Sequence, residues 1–212
     1  MKSFLFLFVV LGCTTLAKAQ PIPVEATVLD QYFQYQHVVG RSFVKKSPFG
    51  WMHIANIITR YEKPSGKLGL SDELMNQFYV TYRLNSSFSL MGGGFYTNAT
   101  KFRPSLALQF MKLSKDWQVV LAPRMDIWKN GNYELFGSIS YRPNLSTETR
   151  LYTRLQFMTS RDHYHHGRSY QQFRLGLERS NVQFGLAVNL DEYGPDPAVI
   201  GTGGVFIRTL IF

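Results

Sequence analysis

From about residue 50 onward, apolar and polar side chains alternate with a period of two. Phe78, Val80, Tyr82 and Leu84 share one face, against Gln77, Tyr79, Thr81 and Arg83 on the other. The same period runs through Leu106, Leu108 and Phe110, through Trp117, Val119 and Leu121, and through Tyr133, Leu135, Ile139 and Tyr141. It continues in Leu151, Leu155 and Phe157, in Phe173, Leu175 and Leu177, and from Val182 to Leu190. Successive side chains of a strand point to opposite faces, so this pattern predicts strands with one apolar and one polar side.

About ten such strands are predicted, near 50–60, 74–84, 87–97, 103–113, 116–128, 132–142, 148–159, 169–179, 181–190 and 199–212. Most run about 10 to 12 residues, longer than the usual globular strand and close to what a tilted strand needs to cross a bilayer. The connections alternate between long and short, with the short link 129–131 out of step. Long loops at one end and short turns at the other, on an even strand count, are the plan of a transmembrane β-barrel. The expected fold is therefore all-β, an antiparallel transmembrane barrel of about ten strands, with eight or twelve as alternatives.

A lipocalin-like soluble barrel alternates too, with its apolar side inward, so charge placement decides the direction. Arg83, Arg124, Arg154, Arg174 and Arg208 lie within strands or near their ends, opposite the apolar rows. Facing lipid at mid-depth, each would cost about 2–4 kcal/mol. Facing inward, they can pair with Asp126, Glu134 and Glu178, with Gln77, Gln109, Gln118 and Gln156 adding hydrogen bonds. The planar guanidinium holds a carboxylate through two parallel bonds, which suits a filled interior.

The N-terminus reads as an address. Met1-Lys2, an apolar run from Phe4 to Gly12 and the Ala17-Lys18-Ala19 site make a secretory signal peptide over residues 1–19. The chain's one cysteine, Cys13, leaves with it, and the loss of Lys2 and Lys18 takes the net charge from +9 to +7. A disulfide framework is thereby excluded from the mature chain, and no motif supports nucleic-acid binding. Residues 20–48, with Tyr32, Phe33 and Tyr35 followed by Arg41, Lys45 and Lys46, are expected to form a periplasmic or plug segment able to contact another outer-membrane protein. The barrel itself is expected over 49–212.

The final segment is apolar, contains glycine and ends on Phe212. It resembles the terminal strand of bacterial outer-membrane barrels, and the resemblance implies that Phe212 is an assembly signal read by the barrel-assembly machinery. Arg208 interrupts one row of this strand, while Val205, Ile207 and Ile211 form the other, which leaves its orientation open. The short leader ending in Ala-Gln and the aromatic-rich strands are similar to small barrels of Bacteroidota.

Candidate chemistry is sparse. Asp162, His163, His165 and His166 cluster in one connection, and imidazole is a common ligand of transition metals. A solvated loop is the preferred reading, and no metal or other cofactor is expected. His165, Gly167 and Ser169 are faintly similar to the signature of outer-membrane phospholipase, but the nucleophilic Ser and its Asn neighbour have no counterpart. Hydrolysis needs a nucleophile, a base and an orienting group, and no such set can be assembled. The expectation is a non-enzymatic barrel among outer-membrane lipids, either an accessory component or a narrow pore with an arginine-rich lumen. A lipid-modifying enzyme and a soluble binding barrel are the rivals.

Overall fold

The computed structural model describes residues 22–62, 71–129, 131–195 and 198–211. Among them are twelve strands: β1 (Ile22–Leu29), β2 (Tyr32–Ser42), β3 (Phe49–Arg60), β4 (Glu73–Arg83), β5 (Phe88–Thr97) and β6 (Lys101–Leu113), then β7 (Trp117–Asp126), β8 (Tyr133–Tyr141), β9 (Thr149–Arg161), β10 (His166–Arg179), β11 (Val182–Tyr193) and β12 (Ile200–Ile211). Each pairs antiparallel with its neighbours in sequence, and β1 pairs with β12 to close the barrel. Closure leaves no strand edge without a partner.

The strand count is twelve rather than about ten. The ten strands expected from alternation correspond to β3–β12. The two extra ones come from residues 20–48, which are not a periplasmic or plug segment: residues 22–29 and 32–42 are barrel wall. Alternation fails to reveal them for a physical reason. The outward row of β2 holds Tyr35, His37 and Arg41 among its apolar residues, and β1 is only 8 residues long with a proline at its second position. The leader, Cys13 and Phe212 lie outside the described residues.

Direction is fixed by exposure. Phe173, Leu175 and Leu177 are 44%, 40% and 39% exposed, whereas Arg174 between them is 0% exposed. The apolar rows therefore face out and the arginines face in. In β12 the open question closes the same way: Val205, Ile207 and Ile211 are exposed, while Phe206 is buried and Arg208 contacts interior groups. Trp117 stacks on Tyr141 at 4.3 Å near the end where β1 begins and β12 ends, and Trp128 and Tyr133 are exposed near the other end. Such rings suit the interfaces of a membrane.

The interior is polar. Its buried side chains include Glu25, Thr27, Gln34, Arg154, Gln172, Arg174, Gln183 and Asn189. Close packing of the wall there depends on Gly176 and Gly185, which face each other across β10 and β11. A Cβ on Gly176 would lie 2.0 Å from the carbonyl oxygen of Phe184.

Candidate functional site

Among the described residues, four charged clusters line the interior. In the first, Glu25 of β1 is 1% exposed and collects three arginines. Arg154 of β9 lies 2.7 Å from its Oε2, Arg174 of β10 donates to Oε1 at 3.0 Å, and the Arg208 guanidinium of β12 is 3.9 Å away. Gln36 donates to the same carboxylate at 3.0 Å. Arg174 also donates to Asn189 at 2.7 Å, and Arg208 to Gln183 at 2.7 Å. Three cations share one anion, so this level of the interior carries excess positive charge.

The second cluster lies toward the end where β1 finishes and β12 starts. Arg168 of β10 bonds Glu73 of β4 and, at 2.7 Å, Asp191 of β11. Arg60 reaches Glu73 at 2.9 Å, and the Tyr193 hydroxyl donates to it at 2.7 Å. Strands β4 and β10 are six places apart in a ring of twelve, so the Arg168–Glu73 contact joins opposite walls. Tyr32 extends the network by donating to Asp191 at 3.2 Å and accepting from Asn189 at 2.8 Å.

In the third, Arg124 bonds both Asp126 and Glu134, the latter at 2.8 Å, and its guanidinium lies 3.9 Å from the Phe95 ring centre. The fourth lies near the end where β1 begins and β12 ends, where Glu178 meets Arg142 at 3.5 Å and Arg150 at 3.9 Å. The structure thus places seven of the eight charged residues expected inside from sequence in three of these clusters; Arg83 is the exception. That arginine is exposed at the barrel end and donates to the Ser47 carbonyl at 2.9 Å. It stands on the inward row as the last residue of β4, and no carboxylate pairs with it among the described residues.

Glu25, Arg60, Glu73, Arg168 and Asp191 were missed by sequence reasoning. Glu73 and Asp191 were within its reach, because each continues an inward row, two steps before Gln77 and one step after Asn189. Glu25 carried no such signal, since β1 itself was not recognised.

No protein-family model matches the chain, and no curated protein matches it. Among solved structures, the KdgM porin superposes with a TM-score of 0.50 at 15% identity, covering 91% of this chain and 99% of that one. The KdgM porin in complex with disordered oligogalacturonate gives 0.50 at 14%, again over 91% and 99%. The NanC porin gives 0.50 at 9%, over 92% and 100%. The chain has the fold of outer-membrane porins.

On that porin fold the histidine loop forms a turn. The Asp162 carboxylate accepts the amides of Tyr164 at 2.8 Å and His165 at 2.6 Å, and these bonds hold its carboxyl below the ordinary carboxylate range. His163 packs edge-on against Tyr133, and His166 bonds the Gly194 carbonyl at 2.7 Å and the Ser169 hydroxyl at 2.9 Å. His165 does not contact Ser169 in this arrangement; the neighbouring His166 does. No group of three or more metal-ligating side chains occurs among the described residues.

Proposed function

We propose that the protein is a non-enzymatic β-barrel of a bacterial outer membrane, exported by a cleaved leader, whose interior is a structural ion-pair network rather than an open channel. The observation that carries this reading is the Arg168–Glu73 contact between opposite walls, continued toward the other end by the buried Glu25 cluster. Pairs that reach across the lumen, such as Arg168 with Glu73, obstruct it, and a network with most of its members paired stiffens the cylinder. The apolar outer wall and aromatic ends support integration among outer-membrane lipids. A C-terminal assembly signal at Phe212, read by the barrel-assembly machinery, is part of the same proposal.

A second reading has its own support. The Glu25 cluster holds three arginines for one carboxylate, a fixed positive charge that favours anions at a constriction. A similar structure was solved with oligogalacturonate, and an acidic saccharide is the class of solute such a lumen would admit. Planar-bilayer recording of the purified protein tests the two. A folded, heat-modifiable barrel without steady current supports the plugged interior, and steady anion-selective steps support the pore.

A further inference from the structure

The outer wall of β2–β4 carries a hydrogen-bonded chain of four polar side chains, whereas the outward rows elsewhere are mainly apolar with isolated polar residues such as Thr153 and Gln171. His53 stands directly opposite Phe78, which is 51% exposed, and His37 stands opposite Val24, so both imidazoles belong to outward rows. Tyr35 and Asn76 share that face by register. The four side chains are linked: Tyr35 Oη to His37 Nδ1 at 3.0 Å, His37 Nε2 to His53 Nδ1 at 2.9 Å, and His53 Nε2 to Asn76 Oδ1 at 3.0 Å. Asn76 Oδ1 can only accept, so His53 carries its proton on Nε2 and accepts on Nδ1. His37 must then donate from Nε2 and accept the tyrosine proton at Nδ1. Every ring nitrogen is satisfied with both imidazoles neutral.

Position makes this chain unusual. His37 is the central residue of β2 and His53 lies in the middle third of β3, so the pair sits at mid-depth of the wall. On the opposite side, the central residue of β9 is the exposed Leu155. Polar groups facing hydrocarbon are costly, and those that occur there are paired and shielded. Within the chain the tetrad is paired but not shielded. Asn76 is exposed, and among the described residues its amide N–H groups have no partner. Ala26 and Ala55 flank the chain with small side chains that allow a close approach.

We propose that this face is the contact between two copies of the protein in the membrane, related by a two-fold axis along the bilayer normal. The proposal rests on the outer-membrane reading above. Copies inserted with the same polarity carry the tetrad at the same depth, so the axis brings each polar chain against its own image. Any other partner would need an unrelated polar patch at matching depth. An isologous contact of this kind lets each Asn76 amide donate to the tyrosine or amide oxygen of the other copy.

The test uses Ile57→Cys, on the same face and leaving the tetrad intact, with Leu155→Cys on the opposite wall as control, both with Cys13 replaced by serine. In native membranes a short bis-maleimide should couple Ile57→Cys into a dimer of twice the chain mass and leave Leu155→Cys monomeric. Adding His37→Phe and His53→Leu should leave the barrel heat-modifiable but lower the cross-linked fraction roughly tenfold. A monomeric Ile57→Cys, a cross-link to a different protein, equal coupling at both positions or insensitivity to the histidine changes would overturn the proposal. If the chain needs detergent for extraction yet fails to couple, only the dimer falls. Release by carbonate would remove the membrane reading and the dimer together.

Discussion

Arg154 and Arg174 stand directly opposite each other across β9 and β10, and both close on Glu25 of β1. Like charges at facing positions of an antiparallel pair repel. Here the carboxylate arrives from a strand beyond the pair, so the repulsion is offset only while the barrel is closed. The contact therefore couples β1 to strands three and four places away around the ring.

Glu25→Gln leaves three guanidinium groups, those of Arg154 and Arg174 buried and that of Arg208 half-buried, around a neutral amide. Removing one partner of a buried charge cluster costs about 3–5 kcal/mol. Urea unfolding in detergent micelles, read by gel mobility, should show a loss of that order. Adding Arg174→Met should recover part of it, because one unpaired cation is then gone.

Opening the Arg168–Glu73 contact between opposite walls should change conduction more than stability. Glu73→Ala leaves Arg168 its bond to Asp191 and frees the diameter at that level. Bilayer recordings should show larger or more frequent current steps than the parent protein, with a preference for anions. Unchanged recordings would mean that the obstruction lies at the Glu25 cluster.

Gly176→Ala should impair folding, since the added carbon meets a backbone oxygen at 2.0 Å, which no rotamer change can relieve. Overpacking of this kind costs about 1–3 kcal/mol or more. Gly203→Ala is the matched control: nothing lies within 4 Å of its added carbon, and its heat-modifiability should be unchanged.

The Asp162 turn should depend on acid. Its carboxyl is held below the ordinary value of 3.8 by two backbone amides, so the turn's stabilisation is present above that value and fades as pH falls through the lowered one. Amide proton shifts of Tyr164 and His165 followed on acidification should move together in that range. Asp162→Ala should abolish the transition.

Ten strands and their direction were legible in the sequence because lipid and lumen impose opposite demands on alternate residues. Leu175 and Arg174 could not have exchanged sides. The first two strands were hidden where that demand relaxes: β2 places His37 on the outer wall and β1 is short. The arginines were legible as an inward set, but their partners were not, since the walls that meet at Arg168 and Glu73 are 95 residues apart in the chain. Alternation tells which way a side chain points and carries no information on what stands across the lumen.

The central claim is that apolar rows touch acyl chains while the arginines are enclosed. A nitroxide attached at Leu175→Cys in proteoliposomes, with Cys13 replaced by serine, tests it most directly. Strong relaxation by membrane-dissolved oxygen and little by a water-soluble nickel chelate is the expected result. The reverse ratio at this position would place the apolar face inside and contradict the account.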